Sequence, residues 1–348
     1  MKAQVFRGVN QLSYEEIPTP EIASDEVLVQ VRVVGLCQSD IKKIRYPLYN
    51  PPRIFGHETA GTIAAVGLDV QGWQVGDRVV VLHHIPCMHC AYCLNDNFSM
   101  CDVYKNITTT AGFAPSGGGF AEYVKVPGHI VRSGGLVTIP DDVTFEQASF
   151  VEPTNCCLKA VKKAQIAPGQ TVLITGAGPI GLMFIMLAKY FGARAIATDL
   201  LPTRIEKALS IGADAAFDAR DSDLAAKIHG MTHGMGVDTS ILAVPSDKAF
   251  FQALDCTRKG GKILFFAEFP DELEIPINPN ILYRREIDLM GSYSSSFRVQ
   301  ALAADIVFNK RIDVDALVSD RYPLKDLSAA VDQAVSPGPD TYKILIYP

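Results

Sequence analysis

Thr171-Val172-Leu173-Ile174-Thr175-Gly176-Ala177-Gly178-Pro179-Ile180-Gly181 is the stretch whose reading decides the fold. Its unbroken apolar and β-branched start reads as a strand buried on both faces, the pattern of a parallel sheet. The strand runs straight into G-x-G-x-x-G and then into an apolar helical stretch, Leu182 to Phe191. In that strand–turn–helix context Gly176 makes the turn, Gly178 lets a pyrophosphate approach the backbone, and Gly181 allows close helix packing. Pro179 and Ile180 complete the turn, and the helix that follows offers its N-terminal N–H groups and dipole to phosphate.

Working outward, the next strand, Arg194 to Thr198, ends at Asp199. An acid about 20 residues past such glycines accepts hydrogen bonds from adenosine ribose hydroxyls and repels a 2′-phosphate, so NAD is expected rather than NADP. Strands and helices go on alternating as far as Ile287 to Gly291. That gives about six strands with helical crossovers, enough for a complete dinucleotide-binding sheet. The chain before this grammar reads differently. Residues 1–150 hold short β-rich runs, of which Val27 to Val34 is the strongest, and look like a small, mostly β domain. Lys42 to Arg53 is basic, aromatic and closed by Pro51-Pro52, and reads as a loop. The tail from Ser296, with one helix at Val299 to Phe308 and short strands ending in Lys343-Ile344-Leu345-Ile346, is expected to pack back on the first domain.

At 348 residues two domains are the default. A chain that is 48% hydrophobic and 20% charged has the make-up of a globular protein. The net charge of −6 argues against nucleic acid as the main partner. No apolar run approaches the ~20 residues of a membrane helix, and the N-terminus lacks a signal-peptide core. A cytoplasmic protein is therefore expected.

Four of the eight cysteines form Cys87-x2-Cys90-x2-Cys93-x7-Cys101. Three thiols at such short intervals converge on one ion from a looping backbone, and the fourth closes a tetrahedral zinc site. A four-thiolate site has no open position, so its expected role is structural. Phe55-Gly56-His57-Glu58-Thr59-Ala60-Gly61 is a polar island between apolar stretches, and Cys37 precedes it. Cysteine, histidine and glutamate are a ligand set zinc accepts, so this stretch reads as the active-site metal loop. Glu152, before a helix-like run from Cys156 to Gln165, suits a helix N-terminus, and its company makes it a further metal-site candidate.

These residues together resemble the zinc-dependent medium-chain alcohol dehydrogenases along essentially the whole chain. The matching features, in family order, are Gly35-x-Cys37-x-Ser39-Asp40, Gly56-His57-Glu58-x-x-Gly61, Gly76-Asp77-Arg78-Val79, the four-cysteine lobe, Glu152-Pro153, Gly176 to Gly181, and Asp199 followed by Arg204. The resemblance implies an α/β fold in which a Rossmann doubly wound parallel sheet, residues 151–291, is inserted in a GroES-like mostly-β catalytic domain. That domain is formed by residues 1–150, with the zinc lobe at 87–101, and completed by residues 292–348. Glu152-Pro153 and Thr198-Asp199-Leu200 point to the polyol (sorbitol) dehydrogenase-like branch.

Carried over, Cys37 and His57 are ligands of a catalytic zinc. Glu58 and Glu152 lie around the same ion, one bound directly and the other directly or through water. Cys87, Cys90, Cys93 and Cys101 hold a second zinc, and Arg204 joins Asp199 and the glycine turn at the cofactor. Ser39 hydrogen-bonds the substrate oxygen and begins the proton's exit. The implied activity is hydride transfer from a secondary alcohol to NAD, with zinc as the Lewis acid on the alcohol oxygen. Two departures stand out. Lys42 occupies the relay position where many relatives have a histidine, and Gly291 to Ser295 lacks the Arg-Tyr pair that sorbitol dehydrogenases commonly carry. The expected substrate is thus a polyol, cyclitol or sugar, in a homodimer or homotetramer. His83, where relatives for simple alcohols place a bulky apolar residue, is expected to help line a polar pocket. The alternatives are an L-threonine or amino-cyclitol dehydrogenase of the same family and, from another class, a non-catalytic zinc- and nucleotide-binding protein.

Overall fold

The computed structural model describes residues 1–348. The chain forms two compact units, Met1–Asn155 with Ser296–Lys310 and Val318–Pro348, and Cys156–Ser295 with Arg311–Leu317.

In the first unit, β1 (Lys2–Gly8) and β2 (Gln11–Glu16) form an antiparallel pair. β3 (Val27–Gly35), β4 (Glu58–Val66) and β5 (Arg78–Leu82) pair antiparallel in that order. β6 (Tyr123–Val126) adds to β3, and β7 (Leu136–Thr138) adds to β5. The register sets Gly35 opposite Glu58 and Glu58 opposite Leu82. The end of β3, the start of β4 and the end of β5 therefore lie side by side, and Cys37, His57 and His83 each fall within two residues of one of those ends. This register, rather than any local motif, assembles the site.

Two local expectations are corrected. The segment from Lys42 does not begin as a loop, because Gln38–Arg45 is helical. The Cys37 carbonyl accepts from the Asp40 and Ile41 amides at 3.0 and 3.2 Å, and Ile41 and Ile44 bury one face. Glu152 does not precede its helix but lies in the first turn of Val151–Ala164, where a carboxylate is favoured by the helix dipole. Just upstream, Thr144 and Gln147 form a reciprocal capping box that starts the helix Phe145–Ser149.

The second unit contains β8 (Thr171–Thr175), β9 (Arg194–Asp199), β10 (Ala215–Asp218), β11 (Val237–Leu242), β12 (Thr257–Phe265) and β13 (Asp288–Gly291). All pair in parallel, in the order β10-β9-β8-β11-β12-β13. The chain winds one way from β8 to β10 and then the other way from β11. The strand order thus reverses between β8 and β11, the switch point outside whose carboxyl ends such sheets bind ligands. Leu173, Ile196, Ile228 and Val237 make one fully buried cluster, and Leu242, Phe250, Ala253 and Ile263 another.

The returning chain supplies β14 (Val318–Pro323) and β15 (Lys343–Tyr347), with a helix, Leu327–Val335, that the sequence reading does not anticipate. β15 pairs antiparallel with β3, Leu345 opposite Gly35, and completes a seven-stranded sheet.

Candidate active site

Cys37 caps the helix Gln38–Arg45, so its thiol leaves the end of β3 beside the first turn that carries Ser39. Ser39 Oγ lies 3.4 Å from Cys37 Sγ and 3.4 Å from His57 Nε2. His57 Nδ1 lies 3.1 Å from Asp40 Oδ1, which also accepts from the Gly56 amide at 3.4 Å. The Nδ1–H therefore donates to Asp40 and Nε2 is left facing Ser39 and Cys37, the arrangement that presents an imidazole nitrogen to a metal. Donor atoms of Cys37, His57 and Glu58 all lie within 4.8 Å of one another.

The charges around this group are arranged in pairs. Burial would raise the Asp40 carboxyl, but the charges of His57 and Lys43 hold it well below the usual carboxylate range. Burial would likewise lower His57, and is outweighed by Asp40 and Cys37, which raise it well above its ordinary value. Lys43 Nζ reaches Asp40 Oδ1 at 3.4 Å, and Lys343 pairs with Glu58. Glu152 is buried, outside the tight Cys37–His57–Glu58 group but near enough to raise Lys343 through its charge. The His83 ring lies tilted against that of His57, centroids 4.8 Å apart, and edge-on contacts continue the row through His84 to Tyr104 of the cysteine lobe. Burial, followed by the charges of His84 and His57, holds the His83 imidazole well below its ordinary value, so it is neutral. Lys42 lies on the same helix, three residues beyond Ser39.

In the lobe, the sulfurs of Cys87, Cys90, Cys93 and Cys101 lie within 4.8 Å of one another, with Cys87 to Cys93 at 3.9 Å and Cys90 to Cys93 at 3.5 Å. A tetrahedron with Zn–S near 2.3 Å has edges of about 3.8 Å, so the four thiols fit a closed zinc site. None of the eight cysteines is in a disulfide.

In the second unit the glycine turn has the shape a dinucleotide requires. Gly176 adopts φ +90°, a Cβ on Gly181 would lie 1.8 Å from the Gly176 carbonyl oxygen, and a Cβ on Gly178 would meet nothing within 4 Å. The crowded glycine packs helix on strand, and the open one leaves the approach to the backbone clear. Asp199 accepts from the Ala177 amide at 2.8 Å and from the Leu201 amide at 3.0 Å, which locks the carboxylate beside the turn. Arg204, on the helix Pro202–Ser210, buries its Nε without a hydrogen-bond partner, a donor an anionic ligand would satisfy.

The comparisons with known proteins follow the same division. Residues 23–141 match the alcohol dehydrogenase GroES-like domain, and residues 179–308 match the zinc-binding dehydrogenase family. Sorbitol dehydrogenase of Bacillus subtilis (strain 168) is 34% identical over 358 residues, covering 100% of this chain and 97% of that protein. The chain belongs to the zinc-dependent medium-chain alcohol dehydrogenase family. Sorbitol dehydrogenase of Bombyx mori is 34% identical, covering 99% of this chain and 98% of that one. A zinc-binding dehydrogenase of Sinorhizobium meliloti 1021, solved bound to NADP, superposes with a TM-score of 0.89 at 28% identity, covering 100% and 99% of the two chains. As a medium-chain dehydrogenase, the chain is an oxidoreductase that uses zinc and a nicotinamide cofactor.

Sequence reasoning assigns no role to Asp40, Lys43 or Lys343. For Asp40 a signal exists, an acid three residues after Cys37 in a helix first turn. Lys343 leaves a fainter one, a lone cation at the head of an apolar strand.

Proposed function

We propose that this medium-chain dehydrogenase oxidises a secondary alcohol bearing several hydroxyl groups, a polyol, cyclitol or sugar, with NAD as the acceptor. The observation that carries the reading is Ser39 Oγ, held 3.4 Å from both Cys37 Sγ and His57 Nε2. A hydroxyl in that position bonds the substrate oxygen beside the metal donors and takes its proton. Lys42, farther along the same helix, is the next group available to pass that proton on. Asp40 holds His57 in the tautomer that offers Nε2. Zinc, when bound by Cys37, His57 and one of Glu58 and Glu152, supplies Lewis acidity at the alcohol oxygen, and NAD accepts the hydride. His83 adds a neutral, polar wall.

A second zinc in the Cys87–Cys101 lobe, cofactor contacts from Gly176 to Gly181, Asp199 and Arg204, and domain limits at 150 and 291 belong to the same proposal. So do residence in the cytoplasm, expected from the sequence, and assembly as a homodimer or homotetramer, carried over from the family. The polyol class draws support from the relatives named as sorbitol dehydrogenases. The test is a panel of polyols, cyclitols, amino alcohols, threonine and simple secondary alcohols, followed at the NADH absorbance, with wild type and Ser39→Ala. Oxidation of a polyhydroxylated substrate that Ser39→Ala lowers by about 100-fold or more supports the reading. Activity confined to threonine or amino alcohols contradicts the substrate class.

A further inference from the structure

Lys343 stands at the head of β15, and the register that sets Leu345 opposite Gly35 carries it alongside Leu36 and Cys37. Its Nζ donates to the Leu36 carbonyl at 3.2 Å and pairs with Glu58 Oε2. The two side chains are 8% and 1% exposed. Gly35 makes the room, since a Cβ there would lie 1.9 Å from Glu58 Oε2 and 2.8 Å from Lys343 Cε. The strand around it is Ile344, Leu345 and Ile346, so the packing of the sheet does not call for a cation. A buried ion pair is a poor way to stabilise a sheet, because desolvation cancels much of the attraction. Its placement next to His57 and Cys37 suggests another purpose.

The pair constrains Glu58 in two ways. One carboxylate oxygen is committed to Lys343, and the ammonium offsets the carboxylate's charge. A glutamate free to turn beside His57 would be drawn to a metal through both oxygens, since carboxylates are good zinc ligands. That would fill the position a catalytic site has to keep open. We propose that Lys343 is a positioning residue that restrains Glu58 and so keeps a coordination position open for the substrate oxygen. The inference rests on the reading of Cys37, His57 and Glu58 as a zinc site. Full closure of Glu58 on the metal would take the paired carboxylate from the buried Lys343 ammonium and leave its Nζ the Leu36 carbonyl, and this is what opposes it.

Cobalt(II) in place of zinc gives a readout independent of turnover, because its visible absorption weakens as its coordination number rises above four. Lys343→Met is expected to weaken that band and to slow metal release to a chelator by about tenfold, the scale on which groups next to ligands act. Lys343→Arg should match wild type. Adding Lys343→Met to Glu58→Gln should leave the band of the Glu58→Gln variant unchanged, because Lys343 acts through Glu58. If Lys343→Met does not fold, Lys343→Gln, which keeps a donor to Glu58 without the charge, takes its place, and a smaller change in the same direction is expected. An unchanged band and release rate on Lys343→Met, or a band that Lys343→Met still weakens in the Glu58→Gln background, overturns the inference. Protein that binds metal only in the cysteine lobe overturns instead the zinc-site reading beneath it.

Discussion

His57 Nδ1 and Asp40 Oδ1 lie 3.1 Å apart, both side chains buried, and this contact decides which nitrogen His57 presents. Asp40→Ala removes the acceptor and frees the ring to turn. Metal affinity at this site is expected to fall about 10- to 100-fold, measured by competition with a chelator, while the lobe metal is retained. Asp40→Asn should fall in the same range, because an amide turns its NH2 as readily as its oxygen towards the ring. Unchanged affinity in both variants would show that His57 is oriented by its other neighbours.

Asp199 is proposed to set the cofactor preference. Its carboxylate is locked by the Ala177 and Leu201 amides, so it cannot swing aside for a 2′-phosphate. Wild type is expected to favour NAD strongly over NADP in kcat/KM, and Asp199→Ser to relax that preference. Equal use of NADP by wild type would mean that the carboxylate does not meet the ribose.

His83 is proposed to line the substrate pocket. It is neutral and polar, and a buried hydrogen-bonding group left unpaired costs about 1–3 kcal/mol, so a wall containing it disfavours plain alkyl chains. Polyols should exceed 2-propanol and 2-butanol in kcat/KM by orders of magnitude, and His83→Phe should narrow the gap. If His83→Phe leaves the ranking untouched, the ring serves only the row of ring contacts from His57 to Tyr104.

Glu146 ties the returning chain to the helix Phe145–Ser149. Arg321 binds it through two hydrogen bonds of 2.8 and 2.7 Å, and Tyr347 donates to it as well. The Arg321 hydrogen bonds lower the Glu146 carboxyl from its ordinary value. A carboxyl lowered on folding stabilises the native state above its unfolded value, about 4.3, and that contribution is lost as pH falls through the lower folded value. Urea midpoints of wild type and Glu146→Gln should therefore differ most near neutral pH and converge in acid. A constant difference across that range would assign the effect to packing.

Much of this was legible from the sequence, and the remainder has a common cause. The glycine turn and the cysteine lobe are local, so spacing alone exposes them. The helix from Gln38 was hidden by its basic composition, because the burial of Ile41 and Ile44 depends on what packs beneath them. Asp40 and Lys343 acquire their partners only through pairing of distant strands, Gly35 with Glu58 and Leu345 with Gly35. No local pattern encodes a contact of that kind.

Alcohol oxidation is proposed to run at an open metal site of Cys37 and His57, separate from a closed site in the lobe. Closed four-thiolate sites release metal more slowly than open ones. Mild chelation followed by measured return of zinc tests this directly, with zinc content, fold and polyol-dependent NADH formation read on the same samples. The expected result is a folded protein that keeps one zinc per chain without activity and regains activity in proportion as a second is restored. Full activity with the lobe zinc alone, or a lobe found oxidised to disulfides in fresh active protein, would contradict it.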